Sequence, residues 1–212
     1  MMARGSFSWI SGIFLFTIGS WIAFRNVTGS LSLIFFLLFA IGFLLSVFFI
    51  VFFRDPERIP SGDEDDAVSP ADGKVISIHH RTVCIFMNIH NVHVNRAPLS
   101  GMVTHIDYKP GGYIPAFNKD SEVNERNHVV FNTAAGTLEL TQIAGILTRR
   151  IVSYISEGNY VKRGERIGMI RFGSRVDVTI PEEYVFSVGL NENVRAAETI
   201  IAIKKDKVQQ KS

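Results

Sequence analysis

The sequence predicts a mainly β domain with few helices, a β-rich barrel or sandwich with barrel-sandwich-like elements, preceded by an N-terminal transmembrane helical hairpin. Three observations predict it. Residues 1–53 carry only two charges, Arg4 and Arg25, and hold 12 of the 17 phenylalanines. The remainder breaks into short runs rich in Val, Ile and Phe, punctuated by Gly and Pro, which is the pattern of strands and turns. Only one later stretch, Gln142–Ile155, spaces its apolar residues (Ile143, Ile146, Leu147, Ile151) as a helix would.

The hairpin comes first. Phe7–Phe24 and Leu31–Phe53 are uncharged runs of 18 and 23 residues. At the helical rise the second spans roughly 35 Å, enough to cross a hydrocarbon core of about 30 Å. The first is at the lower limit of length. The six residues between them, Arg25–Ser30, form a polar turn, so both outer ends face the same side. Arg4, Arg54 and Arg58 flank those outer ends against Arg25 alone at the turn, which places them, and the domain that follows, on the cytoplasmic side of a cell membrane. The second run is too long for the apolar region of a cleaved signal peptide.

Residues 54–66, RDPERIPSGDEDD, read as a linker to a domain over 67–212. Strands are expected at Lys74–Ile78, Val83–Ile89, Gly101–Tyr108, His128–Asn132, Gly136–Gln142, Arg166–Phe172 and Val176–Ile180. Gly158–Gly168 resembles the turn of biotinyl and lipoyl barrel-sandwich domains. Beyond residue 53 the chain holds 20 basic and 20 acidic residues, a balance that gives no footprint for nucleic acid. A single cysteine, Cys84, excludes an intrachain disulfide, and the six histidines show no metal-ligand spacing.

The sharpest chemical feature is Phe172-Gly173-Ser174. A Ser174 hydroxyl next to a Gly173 carbonyl allows an internal acyl shift, because glycine permits close approach. Alone, Gly-Ser is an ordinary turn. A serine needs a base, and that base is often oriented by a carboxylate. Asp72 in Ser69-Pro70-Ala71-Asp72-Gly73-Lys74-Val75 and His90 and His93 in His90-Asn91-Val92-His93-Val94-Asn95-Arg96-Ala97-Pro98 supply those groups. On a strand the two histidines would face opposite ways, and in a helical turn the same way.

These blocks carry a resemblance. SPADGKV, HNVHVNRAP and FGS, with YKPGGYIPAFNKDSEVNERN (108–127) and TQIAGILTRRIV (141–152), resemble in order and separation the short prokaryotic type of the phosphatidylserine decarboxylase family. FGSR, where long members have LGST, fits the short branch. The resemblance implies self-cleavage between Gly173 and Ser174 into a large chain, 1–173, and a small chain, 174–212, which stay associated. Ser174 would become a pyruvoyl group, the only cofactor implied, with no pyridoxal phosphate and no metal. That group would take the substrate's amine as a Schiff base and release CO₂, turning phosphatidylserine into phosphatidylethanolamine. Asp72 and His93 match the family's acid and base for cleavage, and His90 the histidine associated with decarboxylation. Asn124, Glu125 and Arg126 are candidates for lining the substrate pocket. The partners implied are a serine phospholipid and the membrane that holds it; a homo-oligomer is left open.

Two alternatives accompany this reading. One is the same chemistry on an ether lipid, an archaetidylserine decarboxylase. The other is a non-enzymatic, membrane-tethered barrel-sandwich module. A carrier of that kind would show an attachment lysine in Met-Lys-Met or Asp-Lys-Ala, and neither occurs.

Overall fold

A computed structural model describes residues 1–111, 124–145, 151–171 and 174–209. These divide into two compact units, Met1–Pro56 and Glu57–Ser212. The segment read as a linker is split by that boundary.

The first unit is two helices, α1 (Phe7–Asn26) and α2 (Ser30–Phe52), joined through Gly29 in the left-handed region. Their mean hydropathy reaches 1.6 and 3.0, and by length and composition each is able to cross a membrane. Phenylalanines and leucines lie largely on the outside, whereas Thr17, Ser20, Gly42 and Ser46 are buried. A Cβ at Gly42 would sit 2.6 Å from Thr17 Oγ1, so the helices approach closely only because that carbon is missing. Thr17 and Ser46 share a hydrogen bond at 3.2 Å. Each also bonds its own helix, Thr17 to the Ile13 carbonyl and Ser46 to the Gly42 carbonyl.

In the second unit the described strands are β1 (Ala67–Val68), β2 (Gly73–His79), β3 (Thr82–Met87), β4 (Val94–Arg96), β5 (Gly101–Lys109), β6 (Arg126–Thr133) and β7 (Gly136–Ala144). They continue with β8 (Ile151–Ser153), β9 (Tyr160–Val161), β10 (Arg166–Ile170), β11 (Ser174–Thr179), β12 (Tyr184–Phe186), β13 (Asn193–Val194) and β14 (Ile200–Lys204). A short helix, α3 (Lys205–Gln209), follows. A curled eight-stranded sheet runs β13-β2-β3-β11-β7-β6-β5-β9, and two three-stranded sheets run β4-β10-β8 and β1-β14-β12. The domain is therefore mainly β, as expected.

One face of the large sheet is apolar at period two. Val83, Ile85 and Met87 on β3, Val176 and Val178 on β11, and Leu138 and Leu140 on β7 are all buried in one core. Fully burying a side chain of this size contributes about 1.5–3 kcal/mol. The centre of the sheet is β11, paired antiparallel with β3 on one side and β7 on the other.

One expectation fails. None of the described residues of Gln142–Ile155 is helical: β7 runs to Ala144 and Ile151–Ser153 form β8. Of the four apolar residues that suggested a helix, Ile143 pairs with Arg175 on β11 and Ile151 with Ile170 on β10, while Ile146 and Leu147 lie outside the described residues.

Candidate functional site

Ser174 is the first residue of β11 and lies between Met87 of β3 and Ala144 of β7. It shares the buried face with Val176 and Val178 and is fully enclosed. Its Oγ has no hydrogen-bond partner among the described residues. An enclosed hydroxyl left this way costs about 1–3 kcal/mol, so its retention calls for an explanation in use. Phe172 and Gly173 lie outside the described residues.

The two histidines occupy opposite environments. Asn88–Asn91 form a turn closed by the Asn91 N–H on the Asn88 carbonyl and by the Asn88 N–H on Asn91 Oδ1. His90 is exposed on that turn, while His93 is completely buried just before β4. The His93 Nδ1 lies 2.9 Å from the Asn91 carbonyl. A carbonyl only accepts, so Nδ1 carries the proton in this bond and Nε2 of the neutral ring is the basic nitrogen. The His93 carbonyl accepts the Ile170 N–H at 3.1 Å, which ties the histidine to the end of β10, four residues before Ser174. A second tie runs through Asn95 on β4, whose Nδ2 lies 3.6 Å from Sδ of Met87, the strand partner of Ser174.

Asp72 ends the turn before β2 and is nearly buried. The turn requires Gly73, where a Cβ would meet the Phe86 carbonyl oxygen at 2.2 Å. Arg58 grips both carboxylate oxygens, bonding Oδ1 through one nitrogen and Oδ2 through the other at 2.9 Å. The Ala196 N–H donates to Oδ1 at 2.9 Å and the Val92 N–H to Oδ2 at 3.4 Å. Burial is the strongest single influence on Asp72 and pushes its pKa up. The Arg58 hydrogen bond, the Ala196 N–H and the Arg58 charge outweigh it, and the carboxyl is held below its ordinary value. Asp72 thus acts on the His93 loop through the backbone of Val92, one residue away.

Asn124 and Glu125 also bond Ala144, the partner of Ser174 on β7. Asn124 Nδ2 donates to the Ala144 carbonyl at 2.9 Å, and the Ala144 N–H donates to the Glu125 carbonyl. Glu125 is buried and accepts from the Tyr108 hydroxyl at 3.0 Å and the Ile151 N–H at 3.3 Å. Arg126 begins β6, opposite Ile143. An open groove of about 490 Å³, lined in part by Ile106, Tyr108, Asn127, Ile151 and Ile155, shares Tyr108 and Ile151 with those bonds. Most of the block between Tyr108 and Asn127 lies outside the described residues.

Sequence reasoning overlooked Arg58 and a chain of buried amides. Asn127 donates to Gln142 Oε1 at 2.9 Å, and Gln142 Nε2 donates to Asn95 Oδ1 at 2.8 Å. Gln142 had a signal of its own: it interrupts an inward series, Leu138, Leu140, Gln142, Ala144, with an amide that must be satisfied.

Comparison with known proteins agrees with this arrangement. The family model described as phosphatidylserine decarboxylase matches residues 45–83 and 79–202. A Methanosarcina acetivorans protein, provisionally named archaetidylserine decarboxylase proenzyme, is 50% identical over 214 residues, covering 98% of this chain and 99% of its own. A protein of the same provisional name from Methanococcoides burtonii is 48% identical over 206 residues, covering 97% and 98%. The phosphatidylserine decarboxylase proenzyme of Streptomyces griseus is 53% identical over 156 residues, covering 71% of each chain. The chain belongs to the phosphatidylserine decarboxylase family, carboxy-lyases that are made as proenzymes.

Proposed function

We propose that the chain cuts itself between Gly173 and Ser174 and then decarboxylates a serine phospholipid at a membrane surface. The observation that carries this is Ser174 Oγ, enclosed and without a hydrogen bond among the described residues, at the head of the central strand. His93 Nε2 takes the hydroxyl proton as the oxygen attacks the Gly173 carbonyl, which turns the amide into an ester. Loss of the ester by elimination releases the Gly173 carboxylate and leaves dehydroalanine at position 174. Its hydrolysis expels ammonia and leaves the pyruvoyl carbonyl. That enclosed position suits the group, because it supplies an electrophile for the substrate amine and an electron sink for the departing CO₂. His90, exposed on its turn, is assigned the return of a proton to the decarboxylated carbon. Asn124, Glu125 and Arg126 are assigned to the wall of the substrate pocket, and Asp72 to orientation of the His93 loop.

The lipid has two readings. Phosphatidylserine going to phosphatidylethanolamine follows the family's description. An ether-linked archaetidylserine is favoured by one observation: the relatives cited above that align over nearly the whole chain, N-terminal helices included, carry that name. Assay of both lipids in mixed micelles separates the two.

The test of cleavage is a gel and a mass. Wild type should run as two chains, 1–173 and 174–212, with the small one lacking a free N-terminal amine and captured by phenylhydrazine. Ser174→Ala should remain one inactive chain, and an intact but active wild type would sink the reading. For sidedness, we place the domain on the cytoplasmic face, from Arg4, Arg54 and Arg58 against Arg25. A reporter fused after residue 212 should behave as cytoplasmic, and external activity would reverse the assignment.

A further inference from the structure

We propose that Arg58 is a positioning residue for self-cleavage: its guanidinium locks Asp72 against the Ala196 peptide and so fixes the His93 loop relative to Ser174. The proposal rests on the cleavage reading above.

Arg58 belongs to a segment that reads as linker, yet its side chain is only 8% exposed. It makes a closed ring. One guanidinium nitrogen bonds both Asp72 Oδ1 and the Ala196 carbonyl, and the Ala196 N–H returns to the same carboxylate oxygen. The second nitrogen holds Oδ2, which also receives the Val92 N–H. Both sides of the Ala196 residue are therefore engaged. The next residue, Ala197, is a non-glycine at φ +64, a conformation that persists only where its surroundings dictate it. Its N–H donates to the Ser69 carbonyl and its own carbonyl accepts the Ser61 N–H. A surface ion pair would need none of this. The ring joins four separate segments, at 58, 72, 92 and 196, and the last belongs to the small chain that cleavage would create.

The charged and titratable groups placed about Asp72 and its guanidinium partner include Arg58, Glu198 and His93. Arg58 faces it directly. Glu198, from the turn after β13, stands behind the guanidinium at 3.5 Å from its Nε. His93, from the loop before β4, follows the Val92 that donates to the carboxylate. Burial alone would raise the Asp72 pKa, and the Arg58 hydrogen bond is the largest single influence that opposes it. Removing Arg58 therefore lets Asp72 take up a proton at higher pH, and its hold on Ala196 and Val92 weakens there.

The experiment follows chain cleavage in purified full-length precursor from pH 5 to pH 9 for wild type, Arg58→Met, Arg58→Lys and Ser174→Ala. Arg58→Met should cleave more slowly than wild type by a margin that widens toward pH 5 and closes as pH rises, its acid limb displaced upward. Arg58→Lys keeps the charge but not the fork, and should fall between the two. An Arg58→Met profile equal to wild type, or one lowered equally at every pH, overturns the proposal. Should Arg58→Met fail to fold, Arg58→Lys decides: a wild-type rate and limb there overturn the role of the fork. A wild type that never cleaves, or a Ser174→Ala that does, defeats the cleavage reading itself and the Arg58 role with it.

Discussion

In the helical unit most large apolar side chains are exposed, with Phe52 and Phe53 at the end of α2 buried, and the other buried helix positions are Thr17, Ser20, Gly42 and Ser46. In the β unit the apolar side chains fill the interior, and Asp72, His93, Asn95, Asn124, Glu125, Asn127, Gln142 and Ser174 lie buried among them. Both units bury polar groups, but they satisfy them differently. Each hydroxyl between the helices bonds a carbonyl four residues earlier on its own helix, and Thr17 and Ser46 also meet across the contact, so these groups are satisfied within the hairpin. In the domain the amides and carboxylates bond across strands, and Ser174 Oγ is left over. The contrast separates polar burial that lets helices approach from polar burial that readies a reaction.

The two histidines test that contrast most severely. His93→Ala should leave the precursor uncut, a loss of about 10²–10⁴ in cleavage rate, because a general base is typically worth that much. His90→Ala should cleave within a few-fold of wild type and lose decarboxylation instead. Time courses on gels, set beside CO₂ release, distinguish the two. Equal behaviour of both variants would mean that the difference in burial does not divide their roles.

Changes between the helices should be far milder. Thr17→Val removes one interhelical hydrogen bond, worth about 0.6 kcal/mol on average in membrane proteins. It should lower the melting temperature in detergent slightly and leave cleavage unaltered. Gly42→Leu should do more, since its Cβ would collide with Thr17 Oγ1. Loss of cleavage in either variant would show that the helical unit takes part in the chemistry.

Much of this was legible in the sequence. The long strands of the curled sheet announced themselves by period two, and β2, β3, β5, β6 and β7 contain or closely follow the expected runs. The apolar helices were equally plain. Of the two small sheets only β10 was legible, within the run expected at Arg166–Phe172, because strands of two or three residues, such as Ala67–Val68 and Val94–Arg96, are too short to display a period. The helical spacing was read across the end of β7 and the start of β8, whose described residues are strand. Asp72, His93 and Ser174 were singled out because they sit in ordered blocks. Arg58 was not, because its partners lie 14 and 138 residues along the chain and nothing local marks a cation that folds inward.

The central position of β11 has a further consequence. Cleavage before Ser174 would turn one polymer into two without removing a strand, since β11 keeps its ladders to β3 and β7 and Lys207 on α3 keeps its bonds to Asp63, Asp65 and Asp66. The precursor reaches this state by a first-order folding reaction, with the closing loop built in. The cut protein, once unfolded, can regain it only by a second-order encounter of fragments. The mature enzyme would therefore be held by the barrier to unfolding and not by an equilibrium it can readily re-enter, and its lifetime would be a rate.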